Sequence, residues 1–187
     1  MSDEGTYRPL EALGTLVEHR VRFVVVGGFG AQLRGSPSIT GDTDVCYARE
    51  DDDLERMARA LQALHASLRG APKGVPFVLD AKTLKMGDHF TFDTDAGALD
   101  ILGHPSGVPG GYEELERAAD PIEIGPSLTV LVASIDDLIR MKRAAGRPKD
   151  LIEVEVLGAL RDEIDAQAAE ERSRRRQARR RARTNRS

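Results

Sequence analysis

Leu10, Leu13, Leu16 and Val17 recur at the spacing of one helical face, and the apolar run Val21-Arg-Phe-Val-Val-Val26 that follows reads as a buried strand. Gly27 and Gly28 end that run and permit a tight turn into a short helix near Phe29 to Arg34. Ile39 to Tyr47 predicts a second strand. After Glu50-Asp-Asp-Asp53, acids suited to a helix N-terminus, Leu54, Met57, Leu61, Leu64 and Leu68 mark an amphipathic helix that stops at Gly70-Ala-Pro72. Phe77-Val-Leu79, His89-Phe-Thr-Phe-Asp93 and Ala98-Leu-Asp-Ile-Leu102 are short strand candidates bounded by Gly, Pro and Asp. Tyr112 to Ala119 predicts a short helix, and Pro121-Ile-Glu-Ile124 with Leu128-Thr-Val-Leu-Val132 a hairpin over Gly125-Pro126. Ser134-Ile-Asp-Asp137 opens a capped helix that ends at Gly146, and a last helix starts at Pro148 with Leu151, Val154, Leu157, Leu160 and Ile164 as its apolar stripe. This order of elements predicts an α/β (α+β) fold, a mixed β-sheet flanked by helices. Residues 1–165 are expected to form one domain, its C-terminal helical part covering about 134–165, and 166–187 a polar, arginine-rich tail, helical or disordered.

A length of 187 residues with 40% apolar and 31% charged residues is ordinary for one globular domain. No apolar run is long enough to cross a bilayer, and Met1-Ser-Asp-Glu-Gly-Thr6 is acidic rather than basic and then apolar. A cytoplasmic protein without membrane contact is therefore expected. The one cysteine, Cys46, lies between Val45 and Tyr47 and is expected to be a small buried residue with no catalytic role. Charge changes the picture at the C-terminus. Of 27 Lys and Arg, nine lie within Arg172–Ser187, where there is no acid, so the preceding residues carry 18 basic groups against 31 acidic ones. Such a run holds nucleic-acid phosphates by releasing counterions, or is a solvated helix end that folds back on the acidic body.

The candidate chemistry centres on Gly41-Asp-Thr-Asp-Val45. In an extended segment alternate side chains share a face, so Asp42 and Asp44 project together and their oxygens can share one or two divalent cations. Two carboxylates so close repel unless a cation lies between them or one takes up a proton. Gly27 and Gly28 would let phosphate oxygens approach backbone N–H groups at the start of the following helix. A surface turn after Thr40-Gly41 and a plain tight turn are the competing readings of these two features. Lys142 falls with Ile135, Leu138 and Ala145 on the core-facing side of its helix. There it either snorkels to water over apolar surface or serves a site. His19, His65, His89 and His104 are spread over unrelated elements and form no metal-ligand pattern. Val26-Gly-Gly-Phe-Gly30 lacks the third glycine of a dinucleotide-binding turn.

With Gly27-Gly28 after a strand, a helix, and Asp42-Thr43-Asp44 on the next strand, the chain resembles the minimal nucleotidyltransferases of the polymerase-beta fold, and more closely the AbiEii-like toxin branch. The matching pieces span most of Phe23 to Leu160. The resemblance implies a Mg2+ or Mn2+ site, a nucleoside triphosphate substrate and a third carboxylate from a later strand. Asp100, between Leu99 and Ile101, fits that place best, with Asp93 and Asp95 as rivals. Carried over, Lys142 would bind the triphosphate, Arg147 and Lys149 would add positive charge, and Asp150 would orient a basic residue or reach the metal. The chain departs from the pattern at Gly28, where many relatives carry Ser, at Ser38, where a basic residue is frequent, and at Glu153, where an Asp is expected. The implied reaction moves a nucleoside monophosphate to an acceptor hydroxyl of an RNA such as tRNA, a protein or a small molecule. The toxin-like branch adds an antitoxin protein as partner, and the alternative is a module of the same fold that binds nucleotide or nucleic acid without turnover.

Overall fold

The computed structural model describes residues 7–71 and 77–184, with side chains as far as 176. In chain order the elements are α1 (Pro9–Glu18), β1 (Phe23–Val26), α2 (Gly27–Leu33), β2 (Asp42–Tyr47), α3 (Asp51–Ala63), β3 (Ser67–Leu68), α4 (Ala81–Met86), β4 (His89–Thr94) and β5 (Gly97–Leu102). They continue as α5 (Gly111–Glu116), β6 (Asp120–Gly125), β7 (Leu128–Val132), α6 (Ile135–Ala145) and α7 (Pro148–Thr184). The strands form one mixed seven-stranded sheet in the order β3-β4-β5-β2-β1-β7-β6. At its centre β1 runs antiparallel to β2 and parallel to β7, while β2 runs parallel to β5. The expected mixed α/β sheet is the one observed.

Every residue of β1 is buried because both faces of the sheet are covered, which is why its sequence shows no polar alternation. Phe23 and Val25 pack with Leu13 and Leu16 of α1, Leu54, Met57 and Leu61 of α3, and Leu84 of α4. Val24 and Val26 pack on the other face with Tyr112 and Leu115 of α5, Leu138 of α6, and Val154 and Leu157 of α7. One buried charge is part of this frame. Asp53, with 2% of its side chain exposed, accepts from Arg22 Nε at 3.0 Å, Arg22 Nη2 at 2.5 Å and Arg56 Nη1 at 3.3 Å, which ties the first turn of α3 to the chain entering β1.

Three expectations are corrected. The helix predicted through Leu68 ends at Ala63, because His65 adopts φ +50° and the Ala66 N–H donates to the Leu61 carbonyl and the His65 N–H to that of Gln62. That is the Schellman closure, here built on a histidine rather than the glycine that would have announced it. Released from the helix, Ser67 and Leu68 pair with Asp93 and Phe92 as β3. Phe77-Val-Leu79 forms no strand; Phe77 packs against the rings of Phe90 and Phe92, and Asp80 then caps α4 by accepting from the Thr83 N–H at 2.7 Å. The second strand begins at Asp42 rather than Ile39, leaving 39–41 as loop.

At the other end Ser134 caps α6 by accepting from the Asp137 N–H at 3.1 Å, and Gly146 closes it at φ +65°. The 37-residue α7 docks through Val154 and Leu157 and then continues with an exposed surface. Within it Arg174 pairs with Glu170 at 2.6 Å and Arg175 with Glu171 at 2.5 Å, so these two arginines are met by acids of their own helix rather than of the body. Arg172 Nε donates to the Ala168 carbonyl of the same helix at 3.3 Å, and the side chains of the arginines beyond Arg176 lie outside the described residues. No helix among the described residues is long and apolar enough to cross a membrane.

Candidate active site

Asp42 and Asp44 stand two apart on β2, and the parallel register with β5 sets Asp44 directly opposite Asp100. One carboxylate oxygen from each of Asp42, Asp44 and Asp100 lies within 4.8 Å of the others. Asp93 and Asp95 are not brought there: Asp93 pairs with Arg69 Nε at 2.8 Å and Asp95 with His65 Nδ1 at 2.6 Å. The glycines at the β1–α2 junction make room for the cluster. Gly27 has φ +63°, and a Cβ there would lie 2.0 Å from Asp44 Oδ2, so no other residue fits. A Cβ on Gly28 would lie 2.8 Å from Thr40 Oγ1, and the Gly28 backbone hydrogen-bonds the Asp44 carboxylate.

Burial and then the charges of Asp42 and Asp100 push the Asp44 carboxyl up to about 7, against the opposing pull of Lys142 and the Gly28 hydrogen bond. Burial also raises Asp100, although Arg69 counters it. Asp100 Oδ1 is buried and accepts no hydrogen bond among the described residues; Arg69 Nη1 stands off at 3.8 Å. Asp42 is held from two sides. The Thr40 hydroxyl donates to its Oδ1, and the Tyr7 hydroxyl donates to its backbone carbonyl at 3.1 Å. Three converging carboxylates, one with an unpartnered buried oxygen, are the donor set that suits a hard divalent cation such as Mg2+ or Mn2+.

The triad lines a cavity of about 730 Å3, and Gly27, Gly28, Thr40, Lys142, Arg147 and Lys149 line it too. Asp150 is not part of that wall. It is fully buried behind it, accepting from Arg147 N at 3.2 Å, Nε at 2.6 Å and Nη2 at 3.2 Å. The Arg147 guanidinium holds its carboxyl below the usual carboxylate range. Lys142, 13% exposed, lies 3.5 Å from Asp150 Oδ1 and in contact with Glu153 Oε2, so its ammonium is met by carboxylates rather than by open water. Sequence reasoning assigned no role to Thr40, Arg69 or His89, the last of which forms part of the cavity wall. Each approaches the site through the fold, and only Thr40 is near an aspartate of the triad in sequence. Cys46 is buried as expected, its thiol pushed up to about 12 by that burial.

No protein-family model and no curated protein matches the chain. Among solved structures it is similar to TM1012 from Thermotoga maritima, a protein assigned as a nucleotidyltransferase, at 16% identity and a TM-score of 0.48 over 89% of this chain and 99% of that one. It is also similar to the antibiotic-resistance factor ANT(2'')-Ia, at 11% identity and a TM-score of 0.48 over 89% of this chain and 96% of that one. Likeness that slight carries no weight for activity, which rests on the chain's own residues.

Proposed function

We propose that this chain is a divalent-cation-dependent nucleotidyltransferase of the polymerase-beta fold that moves a nucleoside monophosphate from a triphosphate to an acceptor hydroxyl. The observation that carries this reading is the meeting of Asp42, Asp44 and Asp100 across two parallel strands in the cavity that Lys142, Arg147 and Lys149 also line. Asp42, Asp44 and Asp100 would hold the cation, Mg2+ or Mn2+, which would supply neutralisation of the charge that builds on the phosphoryl oxygens and the pyrophosphate leaving group. Lys142, with Arg147 and Lys149 near it, draws the triphosphate tail into the cavity, while Asp150 orients Arg147. Gly27 and Gly28 keep the backbone beneath Asp44 free of side chains. The acceptor oxygen bonds to the α-phosphorus as the bond to the pyrophosphate oxygen breaks, and Asp100, whose Oδ1 accepts no other hydrogen bond, takes the hydroxyl proton.

The domain carrying this reaction is residues 1–165, with 166–187 as its appendage. The resemblance to AbiEii-like toxins supports an RNA such as tRNA or a protein as acceptor, the Arg172–Arg186 run as a backbone contact for RNA, and an antitoxin as inhibitor. Incubation with α-labelled triphosphates, cellular RNA and protein, comparing wild type with Asp42→Ala/Asp44→Ala, tests the reading. Label entering one fraction with wild type alone supports it and names the acceptor class. Triphosphate binding without pyrophosphate release would mark a non-catalytic module instead.

A further inference from the structure

Lys142 is the least exposed of the three cations in the cavity wall, and it meets two carboxylates that are held very differently. Asp150 has no exposed side-chain surface and accepts three hydrogen bonds from Arg147, so it is fixed. Glu153 is 21% exposed and lines the cavity, and among the described residues the Lys142 ammonium is the one polar partner of its buried Oε2. It stands three residues after Asp150 on α7, at the end of a flexible side chain, and is free to swing away. Two cations, Lys142 and Arg147, are thus matched by two acids, Asp150 and Glu153, and the wall keeps no spare positive charge beyond Lys149.

We infer that Glu153 is a specificity-determining residue: its carboxylate holds the place of a substrate phosphate on Lys142, and only a full triphosphate tail displaces it. A small monoanion or dianion offers Lys142 little that Glu153 does not already supply. A triphosphate brings more charge and can reach Lys142, Arg147 and Lys149 together, so its gain exceeds the loss of one carboxylate. Glu153 thereby discriminates against inorganic phosphate, monophosphates and released pyrophosphate, by competing with them rather than by contacting base or sugar. This inference rests on the nucleotidyltransferase reading of the cavity and extends it to the choice among anions.

Calorimetric titration of the full chain in Mg2+ with inorganic phosphate, pyrophosphate and triphosphate tests it, using wild type, Glu153→Gln and Lys142→Met, with thermal unfolding to verify that each variant is folded. The expected result is that Glu153→Gln binds pyrophosphate about tenfold or more tightly and narrows the preference of triphosphate over phosphate, while Lys142→Met weakens all three. If wild type binds triphosphate and Lys142→Met loses it, but Glu153→Gln binds equally or more weakly, the inference is overturned and the nucleotidyltransferase reading stands; weaker binding would assign Glu153 to the cation. If folded wild type itself binds no triphosphate in Mg2+, both fall.

Discussion

Replacing Asp44 by Asn removes a charge that the folded protein is poorly built to hold without a cation. The Asp44 carboxyl is pushed from an ordinary 3.8 up to about 7, burial contributing most and the charges of Asp42 and Asp100 next. The folded protein therefore holds this proton more tightly than the unfolded chain does. Between about pH 4 and pH 7 the unfolded chain gives the proton up first, so stability falls as pH rises through that window. Each pH unit of displacement is worth about 1.4 kcal/mol, which makes the full cost on the order of 4 kcal/mol above pH 7 and nothing below about pH 4. For a domain of this size that is a difference of roughly 10 °C in melting temperature. Thermal unfolding in chelator from pH 4 to 8 should show wild type losing ground to Asp44→Asn as pH rises, and saturating Mg2+ or Mn2+ should close the gap in wild type alone. Parallel pH profiles for the two proteins, or an Asn variant that is the less stable at pH 8, would refute the reasoning.

Gly27→Ala places a side chain at φ +63° and against Asp44 Oδ2, so it should cost about 1–2 kcal/mol in denaturant unfolding for the backbone alone and abolish nucleotidyl transfer by displacing Asp44. Arg22→Met leaves the buried Asp53 with Arg56 as its remaining cation and should destabilise by about 1–3 kcal/mol in urea, without touching the cavity. Thr40→Val deletes the hydroxyl that donates to Asp42, and Mn2+ affinity by titration should fall about tenfold while Thr40→Ser restores it; equal affinity in all three would remove Thr40 from the site.

The parts of the site that were legible lie within one strand or one turn. The period of a strand was enough to place Asp42 and Asp44 on one face, and the glycines that open α2 stood where the backbone turns under Asp44. Asp100 was legible only as a charge among apolar neighbours, because what places it beside Asp44 is the parallel pairing of β2 with β5, a long-range fact. Arg69 reaches Asp100 from the segment after β3, a strand whose existence was hidden by helical spacing at Leu64 and Leu68. The pattern could not reveal that α3 closes on His65, since a positive φ on a non-glycine leaves no mark in periodicity. Lys142 was visible as a misplaced cation on a core-facing helix side, but its two carboxylate partners come from α7, packed against α6 only in the folded chain.

Crystals soaked with Mn2+ and a non-hydrolysable triphosphate test the central claim most directly, through the anomalous signal of the ion. The expected map has Mn2+ bound by Asp42, Asp44 and Asp100, with the triphosphate tail reaching Lys142. Ordered nucleotide elsewhere on the protein, with no ion at these three carboxylates, would contradict it.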